Sequence, residues 1–227
     1  MKICIDAGHN YSGWTTGAGG CGLREEVITW QIADKLRTRL ENAGVTVIMT
    51  RKTLETNLGT NNATSLSKRV ETANSHDCDL FVSIHCNAGG GTGCETLIFK
   101  SGGEAEKAAW KVQNSIVGAL ALRNRGVKVR PDLYVLKHTE MPAILVETAF
   151  IDNADDAAKL RYEQDEFANA ICKGICEYTG TQAEEAAESA REKAERIIRQ
   201  RCDSPEKWIG MCDTVPWFSE FVCKIYG

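Results

Sequence analysis

Several absences narrow the chain before any motif is read. Its ten cysteines, at positions 4, 21, 78, 86, 94, 172, 176, 202, 212 and 223, include no CxxC pair. That excludes a zinc ribbon, and the spacing is not that of a small disulfide scaffold. There is no basic excess: a formal net charge of -4 offers no electrostatic footprint for nucleic acid or anionic lipid. No apolar run is long enough to span a bilayer, and the N-terminus carries no basic stretch followed by an apolar one, so neither membrane insertion nor a signal peptide is expected. GxxxxGK[ST] is missing and no GxGxxG directly joins a strand to a helix, so no nucleotide is assigned. Histidine is scarce, with only His9, His76, His85 and His138. No internal repeat or low-complexity tract is present.

What remains is ordinary in bulk. A chain of 227 residues, 43% hydrophobic and 26% charged, can bury one large core with at most a small appendage. Several cysteines fall inside apolar runs, such as Cys4 between Ile3 and Ile5, where a thiol acts as a small apolar filler. They read as mostly free and buried, which suits folding in a reducing compartment. Apolar runs of strand length occupy residues 2–6, 45–49, 80–84, 94–99, 133–136 and 143–149. Helical periodicity covers 24–42, 65–75, 104–122, 153–160 and 166–178. Strands alternating with helices predict an α/β domain whose sheet is largely parallel and covered on both faces, with sites gathered at the carboxyl ends of strands. The main domain is expected over residues 1–179. Residues 180–227 form a small helical C-terminal region: a charged, Ala-rich helix over 183–201, then two short amphipathic helices. That region is expected to serve packing, self-association or targeting.

Three apolar runs each deliver one chemical group. ICIDAGHN (3–10) ends on His9, LFVSIHCNA (80–88) carries His85, and ILVETAFIDN (144–153) carries Glu147. Hydrolytic zinc takes three protein ligands from His and Asp/Glu and leaves a position for water. His9 and His85 supply two. Glu25 and Glu26 compete for the third place, both lying in the first helical turn after the glycine-rich loop at 11–22; both also suit a helix N-terminus through the dipole alone. Glu147 sits in apolar surroundings that raise a carboxyl pKa and fit it to carry a proton near neutrality, or else it is the buried partner of a neighbouring Arg or Lys. Asp6 and Asn87 either fix a histidine ring or form turns. His76 reads as a helix-end residue and His138 as a loop residue within reach of substrate, both outside the metal shell.

Taken together, IDAGHN, GLREEVITWQIA, IMTR, SKRVETAN, DLFVSIHCNA and MPAILVETAFIDN, in this order and at these separations, resemble the zinc-dependent N-acetylmuramoyl-L-alanine amidases of the amidase_3 class, which includes bacterial autolysins and phage endolysins. The resemblance covers residues 1–179. It implies a twisted, mostly parallel six-stranded sheet flanked by helices, and zinc held by His9, Glu25 and His85. Glu25 takes precedence over Glu26 because the family's glutamate stands eight residues before the alanine of the IA pair, here Ala33. The family's catalytic glutamate falls on Glu147. The sequence departs from the family pattern at Ala7, at Asn10 and in ETAFIDN, without loss of a ligand. Residues 89–93 leave no room for the long inserted helix of some relatives, which predicts an uncovered groove active without a partner. The implied reaction is hydrolysis, by a zinc-activated water, of the amide between N-acetylmuramic acid and L-alanine in peptidoglycan. The groove is expected between the loop at 11–22 and the turns after Cys86 and Leu136. Two other readings share these residues: a zinc peptidase or carboxypeptidase acting on the stem peptide, and a non-catalytic wall-binding module. The chain is expected to be made in the cytoplasm and to act at the bacterial wall, as a phage or prophage lysin does.

Overall fold

A computed structural model describes residues 1–181, 198, 205–214 and 222. The chain divides into two compact units, Met1–Ala183 and Glu184–Gly227.

The first unit is built on six strands: β1 (Lys2–Ala7), β4 (Thr46–Met49), β5 (Leu80–Asn87), β6 (Cys94–Ile98), β7 (Asn124–Val129) and β8 (Ala143–Phe150). Their order across the sheet is β4-β1-β5-β8-β6-β7. β4, β1, β5 and β8 run parallel, while β6 pairs antiparallel with β8 and parallel with β7. The sheet is therefore mixed and mostly parallel, and its helices cover both faces, as the alternation predicts. A two-residue ladder, β2 (Gly19–Gly20) with β3 (Leu23–Arg24), folds the glycine-rich loop back on itself.

Side chains alternate along a strand, and that alternation decides which residues reach which layer. Ile3, Ile5, Leu80, Val82, Ile84, Ile144 and Val146 enter one core with α1 (Glu25–Asn42), α3 (Glu104–Leu120) and α6 (Gln164–Thr179). Cys4, Phe81, Leu97 and Leu145 enter the other, with Val70 of α2 (Asn62–Ser75) and Val135 of α4 (Tyr134–His138). Continuing the period of two puts Asp6, Ser83, His85, Glu95 and Glu147 on this second face. Because β6 runs antiparallel to β8, its first residues lie toward the carboxyl end of β8, with Glu95 opposite Glu147. α5 (Ala154–Tyr162) begins at an Asn153 cap whose side chain accepts from Asp155 N and Asp156 N.

Two elements differ from the sequence reading. Residues 133–136 are not a strand; they enter α4, a helix of five residues that ends on His138. The sixth strand is instead β7, an edge strand with no residue fully buried. Residues 88–93 join β5 to β6 without a helix. Cys4, Cys78, Cys86, Cys94, Cys172 and Cys176 are free and buried, and Cys21 is free and exposed. In the second unit, α7 (Pro205–Thr214) buries Ile209 and exposes Trp208. The remainder of the helices expected over 183–201 and beyond 214 lies outside the described residues, Ile198 and Val222 excepted, as do Cys202 and Cys223. No helix among the described residues is long and apolar enough to cross a membrane.

Candidate metal centre

β1 ends at Ala7, and two residues later the chain turns through His9 with φ at +63°. This is the left-handed region, costly for a residue with a Cβ, and it is held by donors on every side. Thr29 Oγ1 and Arg51 Nη1 both donate to Gly8 O, at 3.0 and 3.1 Å. Arg69 donates to Ala7 O, to His9 O and to the Asp6 carboxylate. The turn brings His9 against His85, with ring centroids 4.8 Å apart and planes at 76°. Gly8 is required there, since a Cβ would stand 2.5 Å from His85 Cε1.

Glu25, the first residue of α1, completes the group. Its Oε1 lies 3.1 Å from both His9 Nε2 and His85 Nδ1. Ligand atoms of the three residues fall within 4.8 Å of one another, close enough to hold a metal ion. Cys86 N donates to Glu25 Oε1 at 2.9 Å and Ala18 N to Oε2 at 2.8 Å, which fixes the carboxylate from both sides. Burial would raise this carboxyl, but hydrogen bonds from His85 and His9 and their positive charge hold it well below the usual carboxylate range. It is ionised at neutral pH. Glu26 turns away: Arg24 Nε donates to its Oε1 at 2.6 Å and Gly17 N to its Oε2 at 3.2 Å.

Glu147 stands beside His85 in the parallel β5/β8 register and beside Glu95 in the antiparallel β8/β6 register, one strand spacing from each, about 4.8 Å. Its Oε2 is buried without a hydrogen-bond partner among the described residues. Burial, partly offset by the His85 charge, pushes its carboxyl up to about 7. The cations on this side are committed elsewhere, Arg125 and Lys128 to Glu95 and Arg130 to Asp132. A carboxyl at the mouth of a site with an uncommitted oxygen is equipped to accept a proton and return it.

The structure thus brings His9, Glu25 and His85 together and sets Glu147 on the same face, while Glu26, His76 and His138 stay apart. His76 is the C-cap of α2. His138 closes α4 and stacks on Tyr134 at 4.2 Å. Neither Asp6 nor Asn87 serves to hold a histidine ring. Asp6 accepts from Thr50, Ser83 and Arg69, and Asn87 donates to Glu95 Oε1 at 3.1 Å. The cavity beside the cluster, about 250 Å³, is walled by Thr15, Ser65, Leu66 and residues 132–135, so its far wall is the start of α4 rather than the turn after Leu136. Arg51, Arg69 and Glu95 are the supporting residues that sequence reasoning missed. Charged residues read as surface ones; for Arg51 and Arg69 the only signal lay in the blocks IMTR and SKRVETAN, and for Glu95 there was none.

A family model described as N-acetylmuramoyl-L-alanine amidase, Amidase_3, matches residues 3–177. The chain belongs to that family. It is 38% identical over 177 residues to N-acetylmuramoyl-L-alanine amidase CwlM of Bacillus licheniformis, covering 77% of this chain and 65% of that one. It is 34% identical over 183 residues to the endolysin of Bacillus phage SPP1, covering 77% and 63%. The match therefore spans under two thirds of either relative's own length. Among solved structures, the CwlD amidase of Clostridioides difficile, determined in complex with the GerS lipoprotein, superposes with a TM-score of 0.73 at 30% identity, covering 79% of this chain and 98% of that one. As an Amidase_3 member, the chain has its match within the unit that carries the cluster.

Proposed function

We propose that this chain is a zinc-dependent N-acetylmuramoyl-L-alanine amidase, hydrolysing the amide that joins N-acetylmuramic acid to L-alanine in peptidoglycan. The observation that carries the reading is the convergence of His9, Glu25 and His85 beside a glutamate with a buried, unpartnered oxygen. Two imidazoles and one carboxylate are the donor set of a hydrolytic zinc site, and Glu25, held below the ordinary glutamate pKa, fits a divalent cation. His9, Glu25 and His85 would hold the zinc, which when bound would supply the Lewis acidity that acidifies water and polarises a carbonyl. Glu147 accepts the proton given up by the attacking water and returns it to the departing alanine nitrogen. Arg51, Arg69 and Thr29 hold the His9 turn so that its imidazole does not have to be ordered during reaction.

The active domain under this reading is 1–179, and residues 180–227 are an appendage for packing, self-association or wall targeting. The substrate and the fold's open β5–β6 connection favour action at the bacterial wall without a covering partner. Metal analysis and mass spectrometry of digested muropeptides test the proposal together. Wild type should carry one zinc and release stem peptides with a free L-alanine amine, while Glu147→Ala should keep the zinc and release none. New ends between amino acids would instead identify a peptidase.

A further inference from the structure

An indole almost wholly in water is the outlier of this surface. Trp14 is 94% exposed, although tryptophan is on average a highly buried residue, and the loop that presents it is not loose. Ser12 N donates to Asn57 Oδ1 at 3.1 Å, and Asn57 Nδ2 returns a bond to Ser12 Oγ at 3.0 Å. Asn10 Nδ2 donates to Leu58 O at 2.9 Å while Leu58 N donates to Asn10 Oδ1 at 3.0 Å. These reciprocal pairs staple residues 10–12 to residues 57–58. Gly13, at φ +87° with open space around it, makes the turn that puts the indole outside.

Between the two loops lies a cavity of about 180 Å³, lined by Trp14 with Asn10, Ser12, Asn57, Thr60 and Asn61. None of these is charged, so the cavity offers no ion-pair partner to a carboxylate or phosphate. Asn57 keeps one amide hydrogen after its bond to Ser12. Asn61 caps α2 through its oxygen, which leaves its amide hydrogens to face a ligand. Thr15 lines both this cavity and the one that holds His9 and His85, so the two adjoin.

A flat aromatic face beside neutral amides and hydroxyls matches one chemical class. A pyranose ring has an apolar C–H face that packs on an aromatic ring and a rim of hydroxyl and acetamido groups that needs such donors and acceptors. We infer that Trp14 and the cavity beside it form a subsite for an N-acetylhexosamine ring of the glycan strand, adjoining the position where the amide is cleaved. The inference rests on the amidase reading for the identity of the polymer, while the subsite itself needs no hydrolysis. The stapled loops cost little ordering when the sugar arrives.

The test is titration of the full chain with the tetramer of β-1,4-linked N-acetylglucosamine, followed by calorimetry and by the indole N–H resonance that disappears in Trp14→Ala. Glu147→Ala serves as the background, so binding is read without turnover. The tetramer should perturb the Trp14 resonance. Trp14→Ala should bind about tenfold more weakly, the scale of one aromatic contact, and Trp14→Tyr should recover most of that loss. The melting temperature of Trp14→Ala checks that it is folded. Equal affinity in Trp14→Ala, or no binding by the parent at millimolar tetramer, overturns the subsite. A loss of affinity for the dipeptide L-alanyl-D-glutamate in place of the tetramer also overturns it, making the loop a peptide site. Failure of wall hydrolysis with tetramer binding intact would overturn the amidase reading alone.

Discussion

Glu147 shows how one residue sets function against stability. Its carboxyl is pushed by burial from an ordinary glutamate's 4.5 to about 7, so between those values the folded chain holds a proton that the unfolded chain has released. Stability must fall as pH rises through that window, because ionising a desolvated carboxyl, one oxygen of which is buried without a partner, costs more in the folded state. A glutamine cannot ionise. Metal-free Glu147→Gln should therefore be more stable than metal-free wild type at pH 8, by about 3 kcal/mol, and equal to it near pH 4; denaturant melts at the two pH values check this. The same change should lower turnover by a factor of about 10² to 10⁴, read as amine released from cell walls. Equal melts at pH 8 would mean that the carboxyl is not desolvated. Glu147 was legible because a buried run ended on a lone acid. The choice between Glu25 and Glu26 was legible only through the family resemblance, since adjacent residues at a helix start differ only in the direction they face, and Gly17 shows what fixes it. A Cβ at Gly17 would stand 2.6 Å from the Glu25 side chain and 2.9 Å from His9 Cδ2. Gly17→Ala should weaken zinc binding at least tenfold in competition with a chelating dye while the far-ultraviolet spectrum stays that of wild type.

At the scale of elements, the site depends on two buried arginines that carry no metal. Arg69, on α2, forks between the Asp6 carboxylate on β1 and the carbonyls of Ala7 and His9. Arg51, just past β4, bridges Gly8 O and Glu26 O, tying the His9 turn to α1. Burial, with Arg69 nearby, pulls the Arg51 guanidinium down to about 10, still charged at neutral pH. Burial would raise Asp6, but Arg69 and the hydroxyls of Thr50 and Ser83 hold it below the usual range. Its stabilisation is present above the ordinary aspartate pKa and is lost as pH falls through the lowered one. Arg69→Met leaves that carboxylate buried and unpaired. It should cost about 3–5 kcal/mol in urea denaturation at pH 7, with a smaller loss near pH 2, and it should weaken zinc binding by loosening the His9 turn. A zinc affinity equal to wild type would show that the turn holds itself. None of this was legible in advance, because a charged residue in a sequence reads as solvated. The sheet was largely legible, since β1, β5 and β8 are continuous apolar runs. β7 was not: NRGVKV lies at an edge and needs no buried face. DLYVLK, short and apolar, fits a strand or a helix equally, and it becomes α4.

For the whole molecule, the decisive fact is that the candidate ligands are brought together only by the fold. His9, Glu25 and His85 come from β1's end, α1's start and β5, so an unfolded chain presents no comparable site, and zinc bound by the folded form must stabilise it by mass action. At free zinc a thousandfold above the dissociation constant the gain is about 4 kcal/mol, which in a unit of this size raises the melting temperature by roughly 8–16 °C. Dialysis against a chelator should remove that increment and zinc should restore it, whereas His85→Ala should show no such shift. All the ligands and Glu147 lie within the compact unit Met1–Ala183, so a chain ending at Ala183 should show the same zinc-dependent rise and the same cleavage of soluble muropeptides. If the appendage serves targeting, that shorter chain loses affinity for intact walls; if it serves self-association, its mass in solution drops to one copy. A shortened chain that no longer responds to zinc would mean that the second unit completes the metal site, and the assignment of the chemistry to the first unit would fail.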